Sequence, residues 1–445
     1  MPTLPNCDYA PPSYDGPSKA EVIKLRGEFL TPALVTYYKD PVMFVDGHMQ
    51  YLFDETGKRY LDAFAGIVSV SVGHCHPRVM AEVNKQNLRL QHTTTIYLHP
   101  NIAKFAEKLV STLPKELNTV YFTNSGSEAN DLAILMARTY TKNYDVIALR
   151  NGYHGGSQGA MGLTALSTWK YSVPQGFGVH HAQVPDRYRG HFGYDDPDAG
   201  EKYALDVKEL IDRGTSGSIA AFIAEPMQGA GGVIEMPPKY LQHAYDYTRE
   251  AGGICIADEV QTGFGRTGDS FWGFENNDVV PDIVVMAKGI GNGCPLAAVV
   301  TTKEIAQSLT QAIHFNTFGG NPVSCAQGLA TLEVILDDDM QGNAKRLGEK
   351  LFAGLHKLQK KYACIGDIRG RGLMVGVELI ENESKTPATQ LTADIFETCK
   401  DMGLIIGKGG YCGNVLRIKP PMCITEEDIE FIVGVLDDAF AKETT

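Results

Sequence analysis

Between about residue 100 and residue 335 the chain alternates short, β-branched apolar runs with longer stretches in which apolar positions recur at helical spacing. The short runs are Thr119–Thr123, Asp145–Leu149, Ser218–Ala224, Gly253–Ala257, Asp282–Ala287 and Ala297–Thr301. Strands that are apolar on both faces belong to a parallel sheet covered by helices on both sides, so an open α/β unit is expected here. Upstream, Asp54–Ala65 has the pattern of a hairpin around Thr56-Gly57, and Pro77 opens a helix. After Leu336 the amphipathic stretch Met340–Tyr362, the strand-like Leu373–Leu379 and a last helix from Glu426 point to a smaller α+β unit. The expected organisation is an N-terminal arm and small segment over 1–75, a large domain over 76–335 and a C-terminal small domain over 336–445, with an irregular Pro-rich arm up to about Pro17.

A chain of 445 residues with 43% apolar residues can fill more than one core. It has no apolar run of the roughly 18–20 residues that cross a bilayer, so no membrane partner is expected. The net charge of −13 opposes a nucleic-acid footprint. Nine cysteines, an odd number without a C-x-x-C pair, suit a reducing compartment, and most of them read as small core residues. His74, His76 and His154 have no carboxylate or second histidine at ligand spacing on one helix, so they read as packing or polar contacts and no metal is assigned.

Open α/β sheets place their ligands at the carboxyl ends of strands, and three motifs sit there. Asn124-Ser125-Gly126-Ser127-Glu128-Ala129-Asn130 joins a strand to an amphipathic run. Its N–H groups and the Ser127 hydroxyl suit a phosphate, although an ordinary helix N-cap has the same look. Gly253–Gly263 ends a buried strand in Asp258 and Glu259. A carboxylate there needs a cationic partner, such as a protonated pyridine nitrogen, an arginine or a helix end, and Asp258 is the candidate while Glu259 reads as structural. Asp282–Gly293 places Lys288 after an apolar run and before glycines. Desolvation at that position would lower its pKa and make the neutral amine a nucleophile, the alternative being a lysine that snorkels out of the strand end.

Together, A-D-E-V-Q-T-G-F-G-R-T-G, A-K-G-I-G-N-G and N-T-F-G-G-N-P resemble the class III aminotransferases, pyridoxal 5′-phosphate (PLP) enzymes of fold type I. The resemblance runs from about residue 30 to the C-terminus. Within the class, V-G-H-C-H-P, H-F-N-T-F-G-G-N-P and I-G-D-I-R-G-R-G-L-M-V-G-V-E-L are similar to its alanine–glyoxylate branch. This implies a mostly parallel seven-stranded sheet in the large domain, with PLP joined to Lys288 as a Schiff base. It implies that Gly126 and Ser127 cradle the phosphate, Tyr153 stacks on the ring, Val260 packs on the opposite face and Asp258 bonds the ring nitrogen. Gln261 is then expected at the phenolic oxygen and Glu225 near that oxygen and the Schiff base, unless Glu225 only supports its neighbours by hydrogen bonds. Thr317 falls in a loop that in this family reaches the phosphate of a neighbouring subunit, implying a homodimer with shared sites, or a tetramer built from it.

Arg417 matches the family arginine that grips the substrate carboxylate. Enzymes of the class that act on ω-amines mask this arginine with a glutamate where this chain has Ala230, so the resemblance implies ping-pong transfer between a small amino acid such as alanine and a small oxo acid such as glyoxylate. Three alternatives stay open: an ω-amino-acid aminotransferase or amino-alcohol phosphate phospho-lyase on the same scaffold, a non-catalytic dimeric binding protein, and a nucleotide-binding oxidoreductase. The last lacks a strand–G-x-G-x-x-G–helix unit. The resemblance implies a mitochondrial matrix protein, although the Arg-free arm Met1–Asp15 does not read as a transit peptide, and the cytosol is the alternative.

Overall fold

The computed structural model describes residues 2–444, so the first residue of the expected 1–75 segment and the last of 336–445 lie outside the described residues. Its centre is a seven-stranded sheet in the order Thr119–Thr123, Ala297–Thr301, Ile283–Met286, Ile254–Asp258, Ala221–Ala224, Val146–Leu149, Val179–Ala182. All neighbours are parallel except Ala297–Thr301, which runs antiparallel to both of its own. Each strand feeds both faces, because successive side chains point to opposite sides. Ile254 and Ile256 pack with Ala129, Leu132 and Ala133 of the Gly126–Thr141 helix, whereas Cys255 packs with Leu241, Ala244 and Tyr245 of the Tyr240–Glu250 helix. This double coverage explains why the strands read as apolar runs.

The strand Val179–Ala182, V-H-H-A, was not expected from the pattern. It lies on the sheet edge, where one flank has no neighbour, and two adjacent half-buried histidines fill its middle, so no apolar run marks it.

The expected hairpin forms between Tyr51–Asp54 and Arg59–Asp62, in a four-stranded sheet with Phe44–His48 and Leu404–Ile405. Leu404–Ile405 joins Arg59–Asp62 in parallel, so residues from both ends of the chain share that sheet. Ile365–Arg371, Met374–Leu379, Val415–Ile418 and Gly407–Gly409 form an antiparallel sheet, covered by the helices Met340–Lys361, Thr389–Asp401 and Glu426–Glu443. The short hairpin Met227–Gln228 and Ile234–Glu235 carries Gly229 against Gln261, in the turn after the Ile254–Asp258 strand, and against Arg417 of the Val415–Ile418 strand. Among the described residues no helix is long and apolar enough to cross a membrane.

Candidate active site

Glu225, Asp258 and Lys288 all stand at or just beyond the carboxyl ends of adjacent parallel strands. They line one cavity of about 150 Å³ together with Gly126, Ser127, Tyr153, Val260 and Gln261, all expected from the sequence, and with Asn130, His154 and Gly155, which were not assigned to the site. Arg417 stands beside this cavity. Thr317 is exposed and lies outside the cavity of its own chain.

Asp258 is 2% exposed. Its Oδ2 accepts from His154 Nδ1 at 2.7 Å and from Asn130 Nδ2 at 2.9 Å, and its Oδ1 accepts from the Val260 N–H at 3.1 Å. Among the described residues its charged partner is thus a histidine rather than an arginine. Burial pulls the His154 pKa down, but the hydrogen bond to Asp258 and the charges of Asp258 and Glu225 outweigh it, so the pKa is raised and the imidazolium favoured. His154 Nε2 and Asn130 Oδ1 are buried with no partner among the described residues.

Lys288 follows Ile283–Met286 and opens a short 3-10 turn with φ of 51°, a left-handed value that costs a side-chain-bearing residue strain and recurs at functional sites. Burial lowers its amine to about 8; Asp258 and Glu225 oppose that shift and Arg417 adds to it. Glu225 accepts from the Tyr153 N–H at 3.0 Å and the Gly229 N–H at 2.8 Å, tying two loops, and burial raises its pKa. Glu259 points elsewhere. It accepts from Thr262 and from the Gly273 and Phe274 N–H groups, the structural role expected of it.

At the other end of the cavity the N-cap is Ser125, whose Oγ accepts from the Glu128 N–H at 3.2 Å. The ordinary capping reading is therefore realised two residues earlier, leaving Ser127 free to line the cavity. Ser127 Oγ accepts from the Gly156 N–H at 3.1 Å. Gly155, at φ of 133°, admits this approach, since a Cβ there would fall 2.3 Å from Ser127 Oγ. Tyr153 meets Trp169 edge-on with ring centroids 5.0 Å apart.

Arg417 lies on the Val415–Ile418 strand. Its Nη2 donates to Lys408 O at 2.8 Å and its Nη1 to Gly229 O at 3.4 Å, while its guanidinium lies 5.2 Å from the Phe64 ring centroid. Its buried Nε has no partner among the described residues, an unmet donor at a site suited to a carboxylate.

A cavity of this volume takes one six-membered aromatic ring. With N–H groups and a hydroxyl for an anion, a carboxylate at a strand end and a desolvated amine, its residues fit PLP. Asn130 and His154 were legible only as parts of N-S-G-S-E-A-N and Y-H-G, and Lys419, described below, carried no signal.

Residues 36–440 match the family model described as Aminotransferase class-III. The chain belongs to the class III aminotransferases. This class III aminotransferase is 55% identical, over 99% of its length and 91% of the relative's, to "Alanine--glyoxylate aminotransferase 2 homolog 2, mitochondrial" of Arabidopsis thaliana. It is 44% identical to "Alanine--glyoxylate aminotransferase 2, mitochondrial" of Homo sapiens, again over 99% of its own chain and 90% of the other. Among solved structures it is similar to an amine transaminase from an uncultivated Pseudomonas species in its PLP-bound form, with a TM-score of 0.87 and 31% identity over 93% of this chain and 98% of that one. It also matches a phospholyase from Arthrobacter in complex with phosphoethanolamine, with a TM-score of 0.88 and 33% identity over 94% and 99% of the two chains.

Proposed function

We propose that this aminotransferase uses PLP, carried on Lys288, to move the amino group of a small amino acid, alanine favoured, to a small 2-oxo acid, glyoxylate favoured. The observation that supports this reading is the shared cavity of Lys288 and Asp258, with an unmet Arg417 donor at its side. The named substrates of the relatives set the choice of alanine and glyoxylate.

When bound, PLP supplies an electron sink for the electrons of the substrate Cα–H bond. Asp258 places a buried carboxylate where a ring nitrogen can be kept protonated. Ser127 and the first N–H groups of the Gly126–Thr141 helix hold the phosphate, and Tyr153 and Val260 bound the ring plane. Lys288, with its lowered pKa, would take the proton from substrate Cα as general base and deliver it to the cofactor carbon that keeps the transferred nitrogen. Arg417 grips the substrate carboxylate. Ala230, beside Gly229, brings no carboxylate to compete for that guanidinium, so the grip serves both half-reactions and ping-pong kinetics follow.

A homodimer, or a tetramer built from it, is part of the proposal: the exposed Thr317 serves the phosphate site of the partner subunit. A mitochondrial location, in the matrix, is part of the proposal; the relatives' names support its mitochondrial part. Initial rates with alanine and glyoxylate, set against ornithine as donor, test the substrate reading; a large preference for ornithine overturns it. The likeness to a phospholyase favours one second reading, cleavage of an amino-alcohol phosphate. Release of inorganic phosphate and ammonia from phosphoethanolamine, without an oxo acid, would establish it.

A further inference from the structure

The site holds a second lysine that the chemistry above does not use. Lys419 is 0% exposed and follows the Val415–Ile418 strand, two positions beyond Arg417 and on the same side by strand alternation. Its Nζ donates to Gln261 Oε1 at 3.0 Å and to Gly229 O at 3.4 Å. Among the described residues no carboxylate pairs with it. Burial lowers its pKa well below the ordinary value, and the charges of Arg417, Lys288 and Arg266 push the same way while Glu225 opposes them. An apolar side chain of this length would fill the space without that desolvation cost, so the amine calls for a functional account.

Its two acceptors supply one. The two ends of a glutamine amide are nearly the same shape but opposite in hydrogen-bonding character, so an unrestrained Gln261 presents either end to the cavity it lines. Here the amine's N–H bonds are directed at Gln261 Oε1 and Gly229 O, so the carbonyl end of the amide faces the lysine. Gly229 brings bare backbone against the same amide: a Cβ there would fall 2.3 Å from Gln261 Oε1 and 2.5 Å from Nε2. The amide thus packs on a bare stretch of backbone and bonds Lys419, with its carbonyl oxygen engaged and its NH2 group left over.

We propose that Lys419 is a positioning residue that locks the Gln261 amide with its NH2 group toward the cofactor cavity, so that Gln261 donates to the phenolic oxygen of PLP instead of opposing it with a carbonyl. This rests on Gln261 standing at that oxygen, and the variants below separate the two claims.

The test is made on full-length protein with PLP, comparing the unmodified enzyme with Lys419→Met, Gln261→Ala and the double variant, and reading PLP affinity and the pH midpoint of the visible band. One neutral hydrogen bond sets the scale: Lys419→Met weakens PLP binding about 3- to 10-fold and moves the midpoint in the same direction as Gln261→Ala. In the double variant Lys419→Met adds nothing further. Should Lys419→Met not fold, Lys419→Gln, whose own amide can meet either end of Gln261, is read instead and is expected to move the midpoint likewise; an unmoved midpoint there overturns the proposal. It is also overturned if Gln261→Ala shifts both readouts and Lys419→Met neither, or if the Lys419→Met effect persists in full without Gln261. If Gln261→Ala itself changes nothing, the placement of Gln261 at the cofactor fails first.

Discussion

His154 Nδ1 lies 2.7 Å from Asp258 Oδ2, and both residues are 2% exposed. A strand-end carboxylate sealed from water is costly, and the imidazole, with Asn130, offsets that cost before any ligand arrives. A ring nitrogen placed as proposed would meet an acceptor already oriented.

Replacing His154 with Leu removes one of Asp258's three donors and its charged partner. The apoprotein is expected to lose roughly 1–3 kcal/mol of stability, the usual cost of leaving a buried polar group short of a partner. Saturating PLP should recover part of that loss, because its ring nitrogen offers Asp258 another cation. Thermal unfolding with and without PLP checks this; an equal loss in both would mean that Asp258 does not face the cofactor.

The Lys288 amine, lowered to about 8 by burial, gives a pH dependence with a definite sign. Below about 8 both folded and unfolded chains hold the proton, and the folded one bears the full cost of a desolvated ammonium. Between about 8 and the ordinary 10.5 only the unfolded chain holds it, so this group's contribution makes the apoprotein more stable as pH rises through that window. The neutral amine is also the form that captures an aldehyde. The rate at which apoprotein develops the visible PLP band should climb through pH 8 and level off above it, whereas an ordinary lysine would still be gaining near pH 10. Stopped-flow absorbance separates the two.

Arg417 and Ala230 predict a specificity change. Ala230→Glu should place a carboxylate against the guanidinium and lower kcat/KM for alanine by about 10- to 100-fold, the scale of one charge-assisted hydrogen bond. Arg417→Met should raise KM for alanine and glyoxylate together. Steady-state kinetics on both substrates decide the matter, and unchanged values in both variants would remove Arg417 from the substrate site.

Much of this was legible in the chain because double burial writes itself as apolar runs. Ile254–Asp258 and Ile283–Met286 are covered on both faces, so their ends, and with them Asp258 and Lys288, stood out as candidates from the pattern, while their roles came from the family resemblance. The edge strand Val179–Ala182 has no such signature. The pairing of Leu404–Ile405 with Arg59–Asp62 joins a two-residue strand to a partner more than 300 positions away, and no local pattern carries that. Asn130, His154 and Asp258 meet from three separate elements, so their hydrogen bonds exist only in the fold. Lys419 in R-I-K-P-P reads like any lysine at a strand end, because nothing in its neighbours tells that it is wholly buried.

The most direct test is to load the protein with PLP, record absorbance near ~410–420 nm where a protein-bound cofactor absorbs, reduce with borohydride and map the labelled peptide. A visible band lost on reduction, with the label on Lys288, is the expected result. No band in folded protein, or a label on Lys419 or any other lysine, would contradict the assignment of Lys288 as the residue that carries the chemistry.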